Sequence, residues 1–180
     1  MKTVIDACVL FPTVLRELVL GVAETGAFTP LWSARILEEW RRAALRHSDR
    51  DGMIAEGEIA LLKVRFPEAL VDSDPAAHAG LSLPDPDDVH VLAAAIEGGA
   101  KALITLNLRD FPTNTLSAHG ILRRDPDGVL LEAFHADEAS TRKVVRDVLG
   151  RAAAHGIDTS NPRGLLKRAR VPRLGKAMFA

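Results

Sequence analysis

Cysteine occurs once in the 180 residues, at Cys8. That excludes an intramolecular disulfide and a zinc site built from cysteines alone, and it suits a reducing compartment. Long apolar runs are also missing. None approaches the roughly 20 residues that a membrane-spanning helix needs. The opening Met1-Lys2-Thr3-Val4-Ile5-Asp6 has no charged-then-apolar leader, so the expectation is a soluble cytoplasmic protein without membrane association. Excess charge is lacking too. Lys and Arg total 23 against 24 Asp and Glu, a formal net charge of -1. The molecule as a whole does not attract polyanions, and any nucleic-acid contact must use a local patch. Internal repeats and low-complexity segments are absent.

What is present is apolar content of 47%, enough to bury a core and to exclude global disorder. The length fits one domain with a small appendage. Lys2 to Ile5 reads as a short strand that stops at Asp6. From Thr13, Val14, Leu15, Leu18, Val19 and Val22 recur at helical spacing, and Gly26 ends that helix. Phe28 to Trp32 reads as a second strand. Ser33 is a fitting N-cap for a helix with Ile36, Leu37, Trp40, Ala43 and Ala44 on one face. At about 100° per residue, Glu39 falls on the edge of that stripe and Glu38 nearly opposite its centre. Glu38 is therefore expected in solvent and Glu39 at the rim of the core. Residues 47–52 read as a loop, Met53 to Val64 as a helix, Ala69 to Val71 as a strand and 72–84 as turns.

The stretch from Leu83 to Pro112 organises the rest. Asp85, Pro86, Asp87 and Asp88 open a helix: a cap, a proline in the first turn, and acids that the helix dipole favours. Gly98-Gly99 breaks it. Ala102 to Ile104 reads as a buried strand that ends in Thr105, with Asn107 and Asp110 in the loop beyond. Asp85 to Asp88 has a sufficient explanation as a helix start, Asp110 as a turn acid and Thr105 as a β-former. His90 is expected on an exposed flank without a ligand partner, and Cys8 as a small buried hydrophobe. Beyond this stretch, Gly120 to Leu122 reads as a fifth strand, Pro126 to Phe134 as a short helix and Asp137 to His155 as a long one. From Asn161 onward the chain is basic, with no acid after Asp158.

Strands alternating with helices predict a mostly parallel sheet of four or five strands, covered on both faces. Ligands of such sheets sit beyond the carboxyl ends of the strands. Asp6 and Asp110 both follow strands and meet there if the strands are neighbours. Asp88, at the start of the helix that leads into the later strand, normally belongs to the opposite end and joins them only if that helix turns its N-terminus toward the site, a condition that periodicity alone does not decide. Carboxylates gathered in one place repel each other unless a hard divalent cation joins them, and oxygen ligands suit magnesium or manganese.

Four segments resemble the PIN-domain nucleases, and among them the VapC-like toxins of bacterial toxin–antitoxin pairs. These are Val4-Ile5-Asp6-Ala7-Cys8-Val9-Leu10, Ser33-Ala34-Arg35-Ile36-Leu37-Glu38-Glu39, Asp85-Pro86-Asp87-Asp88 with Ala95 seven residues on, and Thr105-Leu106-Asn107-Leu108-Arg109-Asp110-Phe111. The resemblance implies a three-layer α/β/α domain over residues 1–135, with 136–180 as a helical extension ending in a basic tail. It implies a Mg²⁺- or Mn²⁺-dependent endoribonuclease. Asp6, Glu39, Asp88 and Asp110 would be its catalytic acids, Asp6, Asp88 and Asp110 its metal ligands, and Thr105 and Asn107 its neighbours to substrate. It also implies RNA as substrate, a cognate antitoxin as partner and a homodimer. Two other readings remain: a PIN-like module that binds RNA or a partner without cutting, and an aspartyl phosphotransferase using Asp6. The second lacks the usual acid two residues on, where Cys8 stands.

Overall fold

Parallel strand pairing positions everything that follows. The computed structural model describes every residue except 75, 77, 78 and 180. Five strands form one sheet: β1 (Lys2–Ile5), β2 (Thr29–Ser33), β3 (Leu70–Val71), β4 (Ala102–Ile104) and β5 (Leu122–Arg124), in the order β3-β2-β1-β4-β5. β1 lies between β2 and β4 and runs parallel to both, and β2 runs parallel to β3. Val4, Ile5, Leu103 and Ile104 are fully buried, as continuous apolar strands of a covered parallel sheet should be. The architecture is the expected α/β class, a three-layer α/β/α arrangement about a central sheet.

The chain divides into two compact units, one of residues 1–11 and 29–123 and the other of 12–28 and 124–180. The first holds the sheet with helices α1 (Ala7–Leu10), α3 (Ala34–Leu45), α4 (Asp49–Arg65), α5 (Val89–Glu97) and α6 (Thr113–Ala118). The second is helical, with α2 (Thr13–Glu24), α7 (Pro126–Ala136), α8 (Glu138–Ala154), α9 (Pro162–Arg168) and α10 (Pro172–Met178). Within it α2 packs on α8 closely enough that a methyl group on Gly21 would meet Val144 Cγ1 at 2.6 Å. The basic tail forms the two short helices α9 and α10.

Two local expectations change. The loop at 47–52 gives way to helix from Asp49, because Ser48 accepts a hydrogen bond from Asp51 N at 3.1 Å and two acids stand in the first turn. That helix buries Ala55 and Leu62 while leaving Met53, Ile54, Leu61 and Val64 exposed; its apolar residues do not all belong to the core. The turn-rich reading of 72–84 falls partly on residues 75, 77 and 78, outside the described residues.

Candidate active site

Register brings the first two groups together. Ile5 pairs with Ile104, so the next residues, Asp6 and Thr105, stand side by side at the carboxyl end of the sheet. Asp6 N donates to Ile104 O at 3.0 Å. The Asp6 side chain is 6% exposed and does not cap α1. Thr105 Oγ1 donates to Asp6 Oδ2 at 2.7 Å, and the Cys8 thiol donates to the same oxygen at 3.0 Å. Neither donor takes Oδ1. Cys8 is therefore more than a small hydrophobe. Burial first, then the Asp6 charge, pushes its thiol up to about 12, so it acts as a neutral donor that fixes the carboxylate.

Asp88 is at the same end as Asp6. The reason is general: a helix returning the chain to the start of a parallel strand runs antiparallel to that strand. Its N-terminus therefore lies over the strands' carboxyl ends, which meets the condition under which Asp88 joins Asp6 and Asp110. A single 3₁₀ turn, Pro86–Asp88, precedes α5, and Asp85 caps it by accepting from Asp87 N at 2.9 Å. Asp85, Asp88 and Asp110 place carboxylate oxygens within 4.8 Å of one another. Burial, and then the charges of Asp6, Asp85, Asp110 and Glu39, raise the Asp88 carboxyl to about 6. Five acids thus bear on one place.

Asn107 ties this group to the loop after β4. Its amide donates to Asp110 Oδ2 at 2.5 Å and to Asp88 Oδ2 at 3.4 Å, while its backbone N–H donates to Thr105 Oγ1 at 2.9 Å. The loop is pinned from β5: the Arg123 guanidinium donates to Leu108 O at 2.6 Å and to Phe111 O at 3.0 Å. Nothing in the sequence marked Arg123, because its task is to satisfy two carbonyls distant in the chain.

Glu39 is set by its partner rather than by its burial. The side chains of Glu38 and Glu39 are 35% and 33% exposed, so the helical wheel's division of solvent from rim does not separate them. Glu38 binds Arg41 at 2.7 Å and Arg42 at 2.8 Å, and the Arg41 hydrogen bonds foremost hold its carboxyl down at about 2. Glu39 Oε1 instead lies 2.6 Å from His90 Nε2. The distance is that of a hydrogen bond but the alignment is not, and neither ring nitrogen makes a well-directed bond within the described residues. His90 is 2% exposed. The exposed-flank reading was wrong because α5 is buried almost all round, packed against β1 and β2. On the solvent side, Arg35 Nε lies 3.8 Å from Glu39 Oε1, and Arg35 also donates to Asp87 O at 3.3 Å. Arg35, Glu38, Glu39, Arg42 and Asp87 line a cleft there.

An all-oxygen acidic cluster at the carboxyl end of a parallel sheet defines an α/β protein whose site lies where such sheets bind ligands. A PIN-domain family model matches residues 2–109, and the chain belongs to the PIN-domain family. The match takes in Asp6, Glu39, Asp88, Thr105 and Asn107 and stops one residue short of Asp110. The chain is also 35% identical over 79 residues to "Putative ribonuclease VapC50" of Mycobacterium tuberculosis, a stretch covering 44% of this chain and 45% of that one. The likeness therefore spans less than half of that relative's length. No solved structure matches the chain. No helix among the described residues is long and apolar enough to cross a membrane.

The acids fit a hard divalent cation. Their donors are all oxygen, and the proton that Asp88 retains to about 6 is the response of a half-buried carboxylate among like charges.

Proposed function

We propose that the chain is a Mg²⁺- or Mn²⁺-dependent endoribonuclease, and the toxin of a toxin–antitoxin pair. The observation that carries the reading is the convergence on Asp88 of Asp6, Asp85, Asp110 and Glu39, felt as a carboxyl raised to about 6. Asp6, Asp88 and Asp110 would hold the cation. When bound, it would neutralise charge on a phosphodiester and make water more acidic. In the hydrolysis a water oxygen forms the new bond to phosphorus, and the ester oxygen opposite leaves with a proton. Glu39, steadied from the core side by His90, would accept hydrogen bonds from that water and orient it. Thr105 and Cys8 hold Asp6 in place. Asn107 donates its amide to Asp88 and Asp110 and would meet a phosphate oxygen by giving up the longer of the two bonds, that to Asp88. Arg35, at the cleft mouth, offers a guanidinium for a neighbouring phosphate.

The partner part of the reading rests on α4. Its exposed Met53, Ile54, Leu61 and Val64 form the kind of apolar surface that a soluble protein covers with another chain. A cognate antitoxin is the partner we assign to it. The name of the similar mycobacterial protein supports the ribonuclease class. A homodimer, the division at about residue 135 and a cytoplasmic setting belong to the same reading.

The test is cleavage of a labelled single-stranded RNA by the full chain with Mn²⁺. Asp6→Asn should abolish it while circular dichroism and melting temperature report an intact fold. Wild-type cleavage by a folded Asp6→Asn protein, freed of co-purifying nuclease, would sink the assignment.

A further inference from the structure

The second helical unit ends in an unusual piece of backbone. α9 and α10 pack through Leu165, Leu166 and Leu174, which are buried. Gly175 is there for the close approach, since a methyl group on it would stand 3.2 Å from Leu166 Cβ. The pair's surface is cationic: Arg163, Lys167, Arg168, Arg170, Arg173 and Lys176, with no acid after Asp158. Arg173 is engaged by Asp125 and Asp127. The other five are exposed and form no salt bridge among the described residues.

Arg170 joins the two helices, with φ of 67°, the one positive-φ residue other than glycine among the described residues. Val171 N donates to Leu166 O at 3.0 Å and Arg170 N to Lys167 O at 3.1 Å. This pair of bonds is the Schellman ending of a helix, whose left-handed position favours glycine. Three other helices of this chain end in the same two bonds: α5 at Gly99, α6 at Gly120 and α8 at Gly156. All three use glycine. Only at the basic pair does a side chain occupy the position, against the local preference. A residue held in an unfavoured conformation points to a use for its side chain.

We propose that the α9–α10 pair binds the phosphate backbone of RNA through Arg163, Lys167, Arg168, Arg170 and Lys176, and that arginine stands at 170 for this contact. That the polyanion is RNA rests on the ribonuclease reading above. The chemistry narrows it further. The pair's large apolar residues Leu165, Leu166, Val171, Leu174 and Met178 are buried, so it has no apolar face to sink into a membrane. The five cations are not interleaved with aromatics on which bases stack. Phosphate contact without sequence preference is what remains.

The test uses the full chain carrying Asp6→Asn, so that RNA survives, and a fluorescein-labelled single-stranded RNA of mixed sequence titrated at several salt concentrations. Replacing Lys167, Arg168 and Arg170 together by Gln should weaken binding about tenfold near 0.1 M salt. It should also flatten the plot of log Kd against log salt by roughly 2, since each lost cation removes about 0.7 on a single strand. Arg170→Gly separates contact from scaffold. It should raise the melting temperature by about 2–4 °C while weakening RNA binding about two- to threefold. Parental affinity and slope in the triple variant overturn the proposal, as does a lower melting temperature with unchanged binding in Arg170→Gly. Loss of binding to an acidic peptide or anionic vesicles, with RNA binding intact, overturns it in favour of that partner. Absence of cleavage by the wild-type chain would defeat the ribonuclease reading alone, because the binding assay does not depend on cleavage.

Discussion

The tripeptide Asp-Pro-Asp occurs twice, at 85–87 and 125–127, and opens a helical segment each time. Asp85 caps by accepting from Asp87 N, and Asp125 caps by accepting from Gly128 N at 2.8 Å. From there the two regions diverge. At 125–127 every acid finds a donor. The buried Asp127 accepts from Arg173 N at 2.9 Å, Arg173 Nε at 3.0 Å and Leu174 N at 3.0 Å, which fastens the start of α10 to α7. Burial would raise Asp125, but hydrogen bonds from Gly128 N and the Arg173 guanidinium outweigh it and hold that carboxyl below the usual range. At 85–88 the acids face other acids, and Asp88 rises to about 6. The same local sequence makes a structural clasp where a cation of the chain answers it. Where none does, it leaves like charges together, the arrangement that the proposed cation would relieve.

Removing one acid from each region should break the symmetry. Asp88→Asn should lower RNA cleavage by about 100- to 1,000-fold, the scale of losing one charge-organising group in an active site, and should leave the fold intact. Asp127→Ala should do the reverse. It strands the backbone donors of Arg173 and Leu174 and costs about 2–4 kcal/mol, read by urea denaturation, while cleavage per folded molecule stays near wild type. Equal loss of cleavage in both variants would mean that the clasp also belongs to the site.

His90 sharpens the comparison, because Glu39 and Glu38 share a helix and an exposure yet have opposite partners. His90→Ala should lower kcat about 10- to 100-fold, as for loss of a group that orients a catalytic one, with KM and Mn²⁺ affinity nearly unchanged. His90→Gln, which keeps a donor of similar reach, should recover part of it. A proportional rise in KM instead would place His90 in substrate binding. The Glu38 partner Arg41, changed to Gln, should leave kcat alone.

These contrasts show what was legible in the sequence. The parallel sheet was, because continuous apolar strands such as Val4-Ile5 and Leu103-Ile104 have few other homes; its strand order was not, since the adjacency of β1 and β4 entered only as a condition. Asp6, Thr105 and Asn107 were legible as strand-end polar groups. The end on which Asp88 sits needed only the antiparallel run of a crossover helix. His90 was not legible: α5 is apolar on nearly every side, so periodicity gave no face to assign. Nor was Glu39 separable from Glu38 by the helical wheel, since the difference lies in a histidine 51 positions away. Arg123 and the Asp127–Arg173 clasp are long-range contacts with no local signature, and Arg170 looked like one more cation until its φ was known.

Acidity should move the two regions in opposite directions. The Asp88 carboxyl binds its proton more tightly in the folded state, at about 6 against an ordinary 3.8. Its contribution to metal-free stability is therefore fully present below about 3.8 and is lost as pH rises through about 6. Asp125 is lowered, so its contribution is present above the ordinary carboxylate value and is lost as pH falls through its folded value. In EDTA, Asp88→Asn should raise the melting temperature by roughly 2–4 °C at pH 7.5 and change it little at pH 4.5. In the wild type, Mn²⁺ should stabilise at pH 7.5, by about 2.7 kcal/mol at 100 times its Kd. The effect should shrink as pH falls through about 6, where protons compete for Asp88. Metal stabilisation independent of pH from 5 to 8 would remove Asp88 from the ligands.

The smallest effect is expected at Asp85, where the two roles of the tripeptide meet in one side chain. It caps the 3₁₀ turn as Asp125 caps α7, yet it also lies within 4.8 Å of Asp88 and Asp110 oxygens. Serine caps nearly as well as aspartate but has no charge for a cation, so Asp85→Ser isolates the second role. If Asp85 is chiefly the cap, Asp85→Ser should leave the melting temperature within about 1 °C and cleavage within about threefold. Asp85→Ala, which removes the cap, should cost about 1 kcal/mol. A drop of more than tenfold in Mn²⁺ affinity for Asp85→Ser, by calorimetry at pH 7.5, would make Asp85 a ligand. Because a charge of that site would then be gone, the Asp88 carboxyl should also fall in the same variant, which NMR titration of the metal-free protein would register.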